Sequence, residues 1–325
     1  MSEQATGLKK GPMISAKMKR SSRLNRFKLN YDMYLLLIPS LLFILVFHYL
    51  PLYGITIAFK DYNMFAGANP IQAIWNSPSV GFDNFKQLFG SSDFKRIFTN
   101  TLLISTYKII FLFPAPIILA LLLNEVRNLY FKKTIQVIVY LPHFISWAVV
   151  SGIFITLLNS SGLVNRMIET MGGEPIRFLM DKRYFRFILV LTDGWKEIGW
   201  GSIIYIAAIT GVDPSLYEAA TVDGAGKLRQ VLHVTLPAIT PTVVMMLILR
   251  VSNILNAGFQ QIFIMYNPTV YEVADIIGTY VYRVGLGQMR FGFGTAVGLF
   301  NSAVAFILVI GCNLLSRRLT GRSIW

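Results

Sequence analysis

Long apolar stretches alternate with short polar ones along the whole chain. Six stretches stand out, at roughly Tyr31–Phe59, Ile97–Leu123, Ile135–Leu158, Phe187–Ile209, Leu236–Tyr266 and Phe293–Leu315. A helix needs about 20 mainly apolar residues to cross the hydrocarbon core of a bilayer, and each stretch supplies them. The first and fifth are longer, which tilt or extension beyond the bilayer accommodates. The polar segments at 60–96, 159–186 and 267–289 are too short to form separate soluble domains. The pattern predicts an all-α polytopic membrane protein with six transmembrane helices over residues 31–325, preceded by a basic tail at 1–30 that has little periodicity and reads as unstructured.

Composition supports this. Of the 325 residues, 54% are hydrophobic and only 14% charged, against about 25% charged in soluble domains. Mean hydropathy is +0.55. The net charge of +14 could suggest nucleic acid, but its placement argues otherwise. Lys9, Lys10, Lys17, Lys19, Arg20, Arg23, Arg26 and Lys28 cluster before the first span, and Arg317, Arg318 and Arg322 follow the last. Clusters of this kind beside apolar segments mark the cytoplasmic side. Six spans put both termini on that side, in the cell (inner or plasma) membrane. The first inner loop, Asn124–Thr134, agrees: it carries Arg127, Lys132 and Lys133 against Glu125. A signal peptide is not expected, since the apolar run far exceeds a cleavable one. The single cysteine, Cys312, lies in an apolar run and reads as a packing residue. No His, Cys, Asp or Glu pair has metal-ligand spacing, and no metal is expected.

Between the fourth and fifth stretches, about residues 211–237, lies a polar block with its own start and stop signals. Asp213 is a good N-cap and Pro214 suits the first helical turn. Ala219 and Ala220 favour helix and leave a surface that another protein can approach closely. Glu218 stands early in that helix, where the dipole favours a carboxylate. Gly224 ends it with positive φ, and Pro237 marks the start of the fifth span. Gly226-Lys227 mimics the end of a phosphate loop and fails, because Thr221 replaces the first glycine and Leu228 the Mg²⁺-binding hydroxyl. With six spans the block faces the cytoplasm; five or seven would turn it outward.

The spacing of Glu218, Ala219, Ala220, Asp223, Gly224, Leu236 and Pro237 resembles the EAA motif of the inner-membrane subunits of binding-protein-dependent ABC importers, with Val234 where the family usually has Ile. The six-span layout, Leu141-Pro142 and Trp195-Lys196 extend the resemblance over residues 30–325 to carbohydrate-importer permeases. The resemblance implies a type I (MetI-like) permease with a cytoplasmic coupling helix. It also implies a second, different permease subunit as partner, an ABC ATPase dimer in whose grooves the coupling helices sit, and an extracytoplasmic solute-binding protein. ATP and Mg²⁺ then belong to the ATPase, and this chain binds no cofactor and performs no catalysis. By position Glu218 inherits a contact with a basic residue of the ATPase.

Polar residues inside the spans are the candidates for a cargo pathway, because they are costly in lipid and tend to face a cavity or a partner. On a continuous helix Arg250, Asn253 and Gln260 share a face, with Asn256 beside it. Amides and Arg suit hydroxyl-rich or carboxylate-bearing sugars; hydrogen bonding to the second permease is the alternative. Trp195, Lys196 and Glu197 in span four fit either sugar stacking or an interfacial Trp beside a self-neutralising set that includes Asp193. Lys108 in span two is read as snorkelling or as a third cation on the pathway. Three intramembrane cations invite an acidic oligosaccharide as cargo. His48 and His143 read as core histidines, and Gly294 with Gly298 as a helix-packing pair. The rivals are a non-sugar cargo, a membrane-embedded enzyme, for which no acidic or His cluster has catalytic spacing, and a channel or secondary transporter, for which inverted repeats or broken helices would be expected and are not legible.

Overall fold

The computed structural model describes residues 31–320. The basic tail expected at residues 1–30 and Arg322 lie outside the described residues. The chain divides after Gly54 into two units. In the first, helix α1 (Tyr31–Ile44) carries Pro39 and runs on into a π-helical turn at Leu45–Tyr49. Leu36, Leu41 and Phe47 are all more than half exposed on it. Such a surface is costly in water, at about 25 cal/mol per Å², and ordinary against lipid tails.

The second unit is built around one central helix. Its elements are α2 (Ser92–Leu112), α3 (Pro114–Glu125), α4 (Leu129–Tyr140), α5 (Trp147–Leu158), α6 (Lys182–Thr210), α7 (Pro214–Val222), α8 (Leu236–Ser252), α9 (Phe259–Met265) and α10 (Phe291–Thr320). Helix α6 packs on α2, α3, α4 and α8. Glycines make that closeness possible: a Cβ on Gly199 would lie 1.8 Å from the Val139 carbonyl oxygen, and one on Gly194 would lie 2.8 Å from Leu112 Cδ2. Apolar clusters around Ile104, Leu189 and Ile262, and around Ala120, Tyr205 and Ile239, bury its other faces.

Five segments are long and apolar enough to cross a membrane: Tyr31–Phe59, Ser92–Glu125, Trp147–Thr170, Lys227–Ser252 and Phe291–Leu314. The expected fourth span falls in α6. With 29 residues it is about 43 Å long at 1.5 Å per residue, yet Asp193, Lys196 and Glu197 dilute its hydropathy. Asp193 and Lys196 are buried, so the polar groups of α6 face protein.

Two of the expected spans are not continuous helices. The third, Ile135–Leu158, breaks between α4 and α5, where Leu141–Phe144 tightens into a 3₁₀ turn holding Pro142. The fifth begins earlier than expected, at Lys227, and α8 stops at Ser252. The chain then turns through Asn253–Gly258, with Ala257 at φ 48° and Gly258 at φ 88°, before α9 resumes. Broken helices, not legible as such in the sequence, are therefore present. Within a bilayer, backbone released from a helix must find polar partners in the protein, and here two lysines supply them. Lys196 Nζ donates to the carbonyls of Pro142 (3.3 Å), His143 and Ile145 (2.7 Å). Lys108 Nζ donates to the Ala257 carbonyl at 3.1 Å, and the Ser105 hydroxyl to that of Ile254. Gly294 does pack closely, its added Cβ meeting Gly285 Cα at 2.8 Å, whereas Gly298 has open space.

Candidate functional site

The block between α6 and α8 takes the form that its start and stop signals dictate. Asp213 caps α7 by accepting a hydrogen bond from the Ser215 backbone N–H at 2.9 Å, and that bond holds its carboxyl below the usual carboxylate range. Gly224 lies at φ 73° and closes the helix. A second short helix, Lys227–Gln230, leads through a π-helical turn into α8 at Leu236 and Pro237. Helix α7 buries none of its nine residues. Glu218, Ala219, Asp223 and Gly224 are exposed, and Ala220 is half-buried. Leu216, Val222, Leu228 and Leu232 stand open beside them.

Residues that sequence reasoning passed over brace the block from behind. Tyr217 Oη pairs with Thr235 Oγ1 at 3.0 Å, and buried Gln230 donates to Thr221 Oγ1 at 2.9 Å and to the Ala225 carbonyl. Lys227 pairs with Glu125 at 3.3 Å, tying the end of α3 and its short turn into α4 to the same end of the unit as the block. A cavity of about 980 Å³ opens there, lined by Glu125, Arg127, Glu218 and Lys227 among others.

The intramembrane polar residues separate into two groups. A cavity of about 230 Å³ is lined by Ser105, Lys108, Asp193, Glu197, Arg250, Asn253 and Asn256. Asp193 lies between two cations, 3.7 Å from Lys108 Nζ and 3.9 Å from Arg250 Nη2. The break after Ser252 points Asn253 and Asn256 at this cavity. The same break removes Gln260: α9 restarts in a new direction, and Gln260 is exposed outside the cavity. Its neighbour Gln261 is buried instead, accepting from Lys108 Nζ at 2.6 Å and donating to Thr192 Oγ1 and the Leu189 carbonyl.

Lys108 does not snorkel, being only 6% exposed and held inward by Asp193, Gln261 and the Ala257 carbonyl. Lys196 and Trp195 do not line this cavity either. Lys196 is committed to the carbonyls of the α4–α5 break, and Trp195 packs edge-on against Phe154 at 5.6 Å. His143 is no core histidine: its Nδ1 lies 2.8 Å from Glu197 Oε2, and its ring stacks on Trp200. Both breaks are fastened by a lysine inside an apolar stretch, whose hydrogen bonds go to backbone carbonyls.

A helical bundle with broken spans, a polar cavity between them and an exposed two-helix block at one end defines a membrane transport subunit rather than an enzyme. Residues 112–321 match the family described as "Binding-protein-dependent transport system inner membrane component", and the chain belongs to that family: it is the MetI-like, membrane-spanning permease subunit of an ABC importer. It is 47% identical to protein LplB of Bacillus subtilis over 88% of each chain. It is 44% identical to the polygalacturonan/rhamnogalacturonan transport system permease protein YteP of the same organism over 94% of each. Among solved structures, a bacterial ABC transporter involved in the import of the acidic polysaccharide alginate has a chain 42% identical to this one. That match has a TM-score of 0.85 and covers 92% of this chain and all of the other.

Proposed function

We propose that this chain forms one half of the pathway of an ATP-driven importer for an acidic oligosaccharide, handed over by an extracytoplasmic binding protein. The observation that carries the coupling half of this reading is α7, a helix that buries none of its own residues and is followed by a glycine already in the left-handed region. A short amphipathic element is not stable in isolation, so a surface this open fits a docking partner. In this reading Glu218, Ala219, Ala220, Asp223, Gly224, Leu236 and Pro237 form the seat for a separate ATPase, which binds the ATP and Mg²⁺. Movement of the ATPase dimer then drives rigid-body rearrangement of the helices. Both termini and the block face the cytoplasm. The Lys227–Glu125 pair supports this, since it puts the block beside the basic stretch carrying Arg127, Lys132 and Lys133. The partner in the membrane is a second, different permease.

The acidic cargo draws support from relatives named for polygalacturonan/rhamnogalacturonan and for alginate. Arg250, Asn253 and Asn256 of the charged cavity supply matching donors. The test is uptake into proteoliposomes by the complete transporter. Glu218→Ala and Gly224→Arg should leave the complex assembled in the membrane and uncouple ATP hydrolysis from uptake. Normal transport by Gly224→Arg would refute the docking role.

A further inference from the structure

A second cavity, of about 210 Å³, adjoins the charged one and shares Glu197 and Arg250 with it. Each is smaller than the roughly 300–1,000 Å³ of sites for drug-sized ligands, a size that suits a single ring. The chemistry of the second is different: Trp200, Tyr205 and Met246 line it, and Gly194 and Gly201 let α2 and α3 approach closely in its wall. Trp200 lies parallel to the His143 imidazole, the centroids 4.4 Å apart and the planes 1° from coplanar. Phe144 meets its edge at 5.4 Å. His143 is itself held by Glu197 at 2.8 Å. An indole locked on one face and one edge is preorganised, yet Trp200 remains 43% exposed. The imidazole can cover only one face, and Trp200 is among the residues that line the cavity.

Arg250 stands where the two cavities meet. Among the described residues its ionic partner is Asp193, at 3.9 Å, a long contact that leaves the guanidinium donors free. Asp193 has a second cation, Lys108, at 3.7 Å. Arg250 can therefore give up Asp193 without leaving a buried carboxylate unpaired. A pyranose ring stacks on an indole through its C–H face, and the carboxylate of a hexuronic acid projects from the ring's edge. A ring resting on Trp200 would present that carboxylate sideways, toward the boundary that Arg250 occupies. With the cargo carboxylate bound, Lys108 faces Asp193 and Arg250 faces the cargo, while Glu197 is held by His143 at 2.8 Å and Lys196 at 3.8 Å. A neutral sugar would leave Arg250 where it is and gain nothing from it.

We propose that the two cavities are consecutive sugar subsites, in which the face of Trp200 away from His143 carries a pyranose ring and Arg250 exchanges Asp193 for that ring's carboxylate. This deepens the acidic-cargo reading and rests on it. The experiment is equilibrium binding to the purified complete complex without the binding protein. The probes are tetragalacturonate and α-1,4-galactotetraose, which share ring stereochemistry and linkage and differ in the carboxylate. Wild type should prefer the acid. Arg250→Gln should weaken tetragalacturonate by roughly ten- to a hundredfold, the range of charge-assisted hydrogen bonds, and leave galactotetraose nearly unchanged. Trp200→Leu should weaken both probes by roughly two- to tenfold, and Trp200→Phe should recover most of that loss. Equal loss of both probes in Arg250→Gln, unchanged binding in Trp200→Leu, or no binding of either probe by wild type would overturn the proposal. Uptake of tetragalacturonate by the wild-type transporter with its binding protein separates the two levels: uptake together with any of those results removes the subsites alone, and absence of uptake removes the acidic cargo as well.

Discussion

Replacing Lys108 by Met tests whether the polar centre of the bundle is held by charge balance. Met keeps most of the volume and removes the ammonium group. Three groups then lose their partner: the Ala257 carbonyl (3.1 Å), Gln261 Oε1 (2.6 Å) and Asp193 (3.7 Å). Asp193 is left with Arg250 at 3.9 Å. Breaking a buried ion pair by deleting one member costs about 3–5 kcal/mol. At ~2 °C per kcal/mol for a large domain, the melting temperature of the purified transporter should fall by roughly 6–10 °C, measured at one heating rate. The sign of the coupling is the sharper test. Adding Asp193→Asn to Lys108→Met removes a buried carboxylate whose remaining cation is the more distant Arg250, so the double variant should melt above the Lys108→Met single variant. A double variant whose two losses simply add would show that Asp193 and Lys108 do not depend on each other.

Three further outcomes follow from the packing and the caps. Gly199→Ala places a methyl 1.8 Å from the Val139 carbonyl oxygen; because backbone cannot rotate away, overpacking of about 1–3 kcal/mol or more should lower folded yield and melting temperature. Gly152→Ala, whose added Cβ meets nothing within 4 Å, should be neutral or gain up to ~1 kcal/mol in helix propensity; equal behaviour of the two would refute the packing argument. Asp213→Ala removes the cap of α7. Because the folded carboxyl lies below its ordinary value of 3.8, its contribution is present above that pH and fades as pH falls through the lower folded value. The stability gap between wild type and Asp213→Ala should therefore be constant near neutrality and close below about pH 4, which thermal melts across pH 2.5–7 would reveal; a gap that widens in acid would contradict it.

Much of this was legible in the sequence, for identifiable reasons. The apolar stretches gave the membrane character, and Asp213, Gly224 and Pro237 gave the block, because N-caps, left-handed glycines and first-turn prolines are local rules that the bilayer does not override. The breaks at Leu141–Ser146 and Asn253–Gly258 were hidden, because hydropathy reads straight through them. Leu141, Phe144, Ile254 and Leu255 are as apolar as any helix interior, and the local marks of a break are confined to Pro142 in one stretch and Asn253, Asn256 and Gly258 in the other. Arg250, Asn253 and Asn256 reach one cavity, but through that turn and not along a shared helical face, so Gln260 was grouped with them wrongly. Read from the sequence, Lys196 fits either a cargo contact or a self-neutralising set with Asp193 and Glu197; its hydrogen-bond partners are carbonyl oxygens 51–54 residues away. Trp200 outranks Trp195 only once His143 is seen stacked beneath it.

The two lysine fastenings also divide the cavity wall into residues that can be changed and residues that cannot. Among the described residues the Asn253 side chain donates to the Leu249 carbonyl in the last turn of α8 alone, and Asn253 is exposed, as is Asn256. An engineer seeking a permease for a different glycan should therefore vary these two asparagines freely and leave Lys108 and Lys196 alone. The amides set what the wall offers to a hydroxyl, whereas each lysine stitches a broken span to the helix beside it.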